Sequence, residues 1–97
     1  MASNISTSLI ISTYNRSDAL ELCVKSVLRQ SLLPDEIIIA DDGSKEDTRE
    51  LIHQLAASSE VPIIHVWHED LGFRLASIRN KAIAKASKEY IIHIRFY

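Results

Sequence analysis

Glycine is scarce in this chain, with 2 among 97 residues, and the scarcity excludes two common ways of holding a nucleotide. Neither G-x-G-x-x-G nor G-x-x-x-x-G-K-[ST] occurs, so dinucleotide-type and P-loop phosphate cradles are set aside. Cysteine occurs once, as Cys23, which excludes an internal disulfide framework and suits a reducing compartment. A cytoplasmic chain is expected. No apolar run approaches the roughly 20 residues that cross a bilayer, and the opening MASNISTS lacks the basic start and long apolar stretch of a signal peptide. No membrane segment is expected. Positive charge is not in excess either: 13 acidic and 11 basic residues are interspersed for a net charge of -2. No basic stripe faces a nucleic-acid backbone, and no nucleic-acid partner is expected.

What is present is apolar and ordered. With 46% hydrophobic residues, the chain has the size of one compact domain, 1–97, with a modest core. Apolar runs near 8–13, 36–41, 62–67 and 90–95 alternate with segments of helical period, the signature of βαβ units and a parallel sheet. The first helix, about 17–30, sets Leu20, Val24, Val27 and Leu28 on one face. Cys23 borders that stripe as a small packed hydrophobe, with no histidine close in sequence to activate it. The second helix begins at a capping signature, Ser44 followed by Asp47, and buries Leu51, Ile52, Leu55 and Ala56. Lys45, Glu46, Arg49 and Glu50 form its solvated face. Pro62 opens the third strand, where a missing N–H is tolerable.

Strands that read as continuous apolar runs belong to a sheet covered on both faces. Ligands of such sheets bind outside the carboxyl ends of the strands, and the polar clusters of this sequence lie there. The first strand empties into Ser12, Thr13, Tyr14, Asn15 and Arg16. The second, IIIADDGS, ends on Asp41 and Asp42. The third ends in His68, Glu69, Asp70 and Gly72. Two adjacent carboxylates are costly to bury unpaired, so the aspartates are expected at a mouth where water or a partner meets them.

The third helix adds a cation. At about 100° per residue, Leu75, Ile78, Ala82 and Ala86 form the buried stripe and Arg79 falls within it. A guanidinium there needs an anion: either Asp41 or Asp42 in a structural ion pair, or a ligand phosphate or carboxylate. In a nucleotide site, Tyr14 could stack on a base and Asp42 could accept from a base imide N–H or a ribose hydroxyl. The HVWHED stretch offers His65, His68, Glu69 and Asp70 as possible metal ligands. Residues three apart on a strand point to opposite faces, so one ion shared by His65 and His68 requires the strand to end between them. Trp67 reads as core, and His53 and His93 receive no role.

In their order and spacing, SLIISTYNR, PDEIIIADDGS and GFRLASIRNKAIAKASKEYIIHI resemble the family-2 glycosyltransferases of GT-A fold. The resemblance covers essentially the whole chain. It implies a three-layer α/β/α, Rossmann-like half of a GT-A fold, with four mainly parallel strands in the order 3-2-1-4 and three helices. It also implies a nucleotide-sugar or nucleoside diphosphate partner, typically uridine diphosphate. Thr13 and Tyr14 would surround the base and Asp42 would meet the uracil or ribose. Arg79 would lie near the pocket and Asp41 would support the turn, with Asn15 and Arg16 completing the set.

One departure bears on cofactors. Full-length members of the family end the fourth strand in Asp-x-Asp, whose carboxylates bind Mn²⁺ or Mg²⁺, whereas here YIIHI runs into Arg95, Phe96 and Tyr97. The expectation is therefore a transferase truncated before that motif, with no metal site, no cofactor and no catalytic residue of its own. Full-length relatives would transfer a sugar to an acceptor hydroxyl, a base taking its proton while the metal stabilises the leaving diphosphate. The alternative is a noncatalytic assembly module, a homo-oligomer formed through the apolar strand at 90–97.

Overall fold

The computed structural model describes residues 6–69 and 75–95. The elements run β1 (Thr7–Thr13), α1 (Ser17–Leu28), β2 (Glu36–Asp41), α2 (Glu46–Ser58), β3 (Ile63–Trp67), α3 (Leu75–Lys85) and β4 (Tyr90–Arg95). The four strands form one sheet in the order β3-β2-β1-β4, with every pairing parallel. The expected α/β architecture and strand order are both present.

Alternation along the strands builds a core on each face of the sheet. Leu9, Ile11, Ile37 and Ile39 pack with Leu20 and Val24 of α1 and Ile52 and Leu55 of α2. Ile10, Ile38, Ala40 and Val66 point the other way, onto Ile78 and Ala82 of α3. A parallel strand between two helical layers has no solvent face, which is why β2 reads EIIIAD and is buried at every position. Each fully buried isoleucine contributes about 1.5–3 kcal/mol relative to exposure. Cys23 is partly buried against the first cluster, and burial pushes its thiol pKa up, as suits a packing role.

The other end of the sheet is tied by Glu36. Its buried carboxylate accepts from the Ser8 hydroxyl at 2.6 Å, the Ser87 N–H at 2.9 Å and the Ser87 hydroxyl at 3.1 Å. Burial alone would raise its pKa. These hydrogen bonds, helped by the charge of Lys88, outweigh burial and hold it below the ordinary value.

Three local expectations need correction. Helix α1 stops at Leu28, two residues early, because the chain tightens there and Gln30 N–H reaches the Val27 carbonyl at 3.1 Å. Lys45, not Ser44, is the N-cap residue of α2, and no side chain caps it, because the Ser44 hydroxyl is already accepting the Asn15 N–H. Trp67 is not core: it is 49% exposed, since it ends β3 at the edge of the sheet. Pro62 lies just before β3, and its carbonyl accepts the Ile37 N–H at 2.9 Å. No described helix is long and apolar enough to cross a membrane.

Candidate functional site

The carboxyl ends of β1, β2 and β3 lie side by side because the strands are parallel and in register. Thr13 is the register partner of Asp41, and Asp41 that of Trp67. Asp42 N–H donates to the Thr13 carbonyl at 3.0 Å, which draws the two strand ends into one floor. Sequence clusters tens of residues apart thus become neighbours.

The two aspartates are not at an open mouth. Asp41 is 0% and Asp42 1% exposed, a burial that is tolerable because each carboxylate is paired. Asp41 Oδ2 meets His65 Nε2 at 2.8 Å, and Asp41 Oδ1 accepts the Ser44 N–H at 2.9 Å. Asp42 Oδ1 meets His68 Nε2 at 2.6 Å, and the Lys81 ammonium donates to His68 Nδ1 at 3.2 Å. Neither aspartate pairs with Arg79, the structural partner weighed for it from sequence. Among the described residues Arg79 makes no ion pair. Helical geometry sets Arg79 and Lys81 on opposite flanks of the stripe formed by Ile78 and Ala82.

The loop after β1 is clamped to the turn after β2. Asn15 takes a positive φ of 47°, a conformation that asparagine adopts more readily than most residues. Its N–H donates to Ser44 Oγ at 2.8 Å, and its Oδ1 accepts the Lys45 N–H at 2.9 Å. Gly43, at φ 88°, makes the turn that no β-carbon would allow so cheaply. The Ser44 carbonyl accepts the Trp67 indole N–H at 3.1 Å. Ser44 therefore joins three segments through its N–H, hydroxyl and carbonyl. Arg16 is exposed, with its guanidinium 3.9 Å from Asp18, and Tyr14 is half-buried in the same loop.

Two further polar groups stand out at or near this end. Thr13 Oγ1 is buried without a hydrogen-bond partner at the tip of β1. Ser12 Oγ lies 2.6 Å from His93 Nε2 across the β1–β4 pair, a contact that no local pattern announces. His65, His68 and Lys81 were likewise not assigned to the aspartates from sequence. The available signal was the adjacency of β2 and β3, which brings the HVWH run alongside the Asp-Asp turn.

The described residues offer no set of three His, Cys, Asp or Glu ligands for the divalent cation implied for the family. His65 and His68 point to opposite faces of the sheet, each to its own aspartate. Asp70, Gly72, Phe96 and Tyr97, also named from sequence, lie outside the described residues.

Known proteins are similar to this chain in sequence. It is 37% identical over 82 residues to validoxylamine A glucosyltransferase of Streptomyces hygroscopicus subsp. limoneus, a match covering 82% of the chain and 18% of that protein. It is 34% identical over 85 residues to chondroitin synthase of Escherichia coli, covering 87% of the chain and 12% of the relative. Against hyaluronan synthase of Pasteurella multocida it is 30% identical over 89 residues, 91% of the chain and 9% of the relative. The chain thus spans less than a fifth of the length of each of these relatives. The family model described as Glycosyl transferase family 2 matches residues 8–94, which takes in every strand and helix above but for the first residue of β1 and the last of β4: the chain belongs to glycosyltransferase family 2.

Proposed function

We propose that the α3 side of this strand-end floor receives the nucleoside diphosphate part of a nucleotide-sugar donor, with uridine diphosphate as the nucleotide. The observation that carries this reading is Asp42, a buried carboxylate fixed at a strand end by a buried histidine. A carboxylate so placed accepts from a base imide N–H or a ribose hydroxyl, and repels a diphosphate. Tyr14 offers a ring for stacking, while Thr13, whose side chain shares the α1/α2 face with its register partner Asp41, supports the floor from the other side. Arg79, without an ion pair among the described residues, is the cation for the phosphates. Asp41, Asn15 and Arg16 serve the same site by shaping its turn and rim.

Sugar transfer from such a donor to an acceptor hydroxyl is proposed for the whole protein, and recognition without turnover for these 97 residues. Titration of the ¹⁵N-labelled chain with uridine diphosphate, with and without Mn²⁺, tests the reading. Saturable, Mn²⁺-independent amide shifts at Tyr14, Asp42 and Arg79 are expected. A well-dispersed spectrum without shifts at millimolar ligand would overturn it, and turnover of a nucleotide sugar by this chain alone would overturn the division of labour.

Strand β4 favours a second, compatible reading. Tyr90, Ile91 and Ile92 are all exposed, although Ile91 and Ile92 point to opposite faces of the sheet. Beside them, Leu9, Val27, Leu32, Leu33 and Ile94 line an apolar groove of about 630 Å³. An edge strand bare on both faces templates pairing, and a second copy of the chain is the proposed occupant. Sedimentation velocity should show concentration-dependent dimers, abolished by Ile92→Glu. A monomer at every concentration would remove this reading.

A further inference from the structure

We infer that His68 is a positioning residue for Asp42 and that Lys81 selects its tautomer. The inference rests on the nucleotide reading above and adds to it a device built from three side chains. A lysine ammonium can only donate, so its 3.2 Å contact obliges His68 Nδ1 to accept. The ring proton must then sit on Nε2, directed at Asp42 Oδ1 2.6 Å away. The chain of donors runs one way, from α3 through the end of β3 to the end of β2.

The arrangement has a functional consequence because Asp42 follows the last residue of β2 and lies in the turn. A carboxylate there can rotate, and each rotamer presents a different oxygen to the ligand. With both partners buried, the hydrogen bond from His68 helps to fix the rotamer before ligand arrives. Pre-organisation of this kind raises affinity by removing an ordering cost from the binding step. Asp41, by contrast, is held by His65 and by the Ser44 N–H, a pairing that belongs to the turn.

The test uses the whole chain and uridine diphosphate as probe. Two-bond ¹H–¹⁵N correlation of the wild-type imidazoles should show His68 as the Nε2–H tautomer. His68→Ala is expected to weaken binding about tenfold, the scale of one charge-assisted hydrogen bond. His68→Gln should recover most of that loss, since its amide N–H₂ can donate to Asp42 while its oxygen accepts from Lys81. Lys81 is exposed, so Lys81→Met keeps the fold and should release the tautomer, seen as mixed ring signals and a smaller loss of affinity. An Nδ1–H tautomer in the wild type, or a folded His68→Ala that binds as the wild type does, would overturn the inference alone. A wild type that does not bind the nucleotide would overturn the functional reading, and the inference with it.

Discussion

Asp41 and Asp42 are consecutive in the chain and serve opposite faces of the sheet. Asp41 meets His65 on the face covered by α1 and α2, while Asp42 meets His68 and, through it, Lys81 of α3. The pair is one structural carboxylate beside one that addresses the proposed site, and their side chains are divided by the alternation that makes a strand. Mutational effects at the two positions should therefore differ in kind: Asp41→Asn should cost stability, and Asp42→Asn nucleotide affinity.

Glu36 should control acid stability. Its folded pKa is lowered from the ordinary 4.5, so its stabilisation is complete above the unfolded value and is lost as pH falls through the folded one. Urea denaturation near neutral pH should find Glu36→Ala about 2–3 kcal/mol less stable, because Ser8 and Ser87 lose a charged acceptor. Glu36→Gln should lose less, and its deficit should shrink as pH falls below about 4.5. A deficit constant from neutral to strongly acid pH would contradict this account.

Ser44→Ala should loosen a loop and leave a helix intact. The hydroxyl accepts from Asn15 and does not cap α2, so amide exchange should speed up at Asn15 with little change in the first turn of α2. The expected cost is about 1 kcal/mol. Equal loss of protection at Thr48 and the neighbouring amides would restore the capping interpretation.

Thr13→Val and Thr48→Val make the same chemical change in two places. Both remove a buried hydroxyl that has no partner, and both should be neutral or slightly stabilising in thermal denaturation. Thr13 stands at the strand-end floor but turns its side chain to the α1/α2 face with Asp41, so neither variant should weaken uridine diphosphate binding on the α3 side. Parallel isothermal titrations of the two variants with uridine diphosphate check this.

Ile38→Ala should be the costly core change, about 2–5 kcal/mol by chemical denaturation. Ile38 is fully buried in the central strand β2, packed with Ile10 and Ile78 on the α3 face, where backbone on every side limits collapse into the void.

The elements were legible because their signals are local. Continuous apolar runs marked all four strands to within a residue at each end, and a helical stripe such as Leu20, Val24, Val27 and Leu28 needs only its own turn geometry. The aspartates were legible as unusual but not as paired. His65 and His68 lie 24 and 26 residues from their partners, and Ser12 lies 81 from His93. Ser44 was misread for the same reason: Ser-x-x-Asp is a capping pattern, and only the arrival of Asn15 from β1 turned its hydroxyl elsewhere.

By itself, then, the sequence determined the alternation of strand and helix, the two-sided core and the gathering of polar residues at the strand ends, because periodicity and hydrophobic burial act over one or two turns of chain. The tertiary structure alone decided which carboxylate faces which layer, which histidine holds it, and that Lys81 rather than Arg79 completes the array. Those outcomes depend on the register between parallel strands and the placement of α3 across them. Both are set by the packing of whole faces, and neither is written in the residues that they bring together.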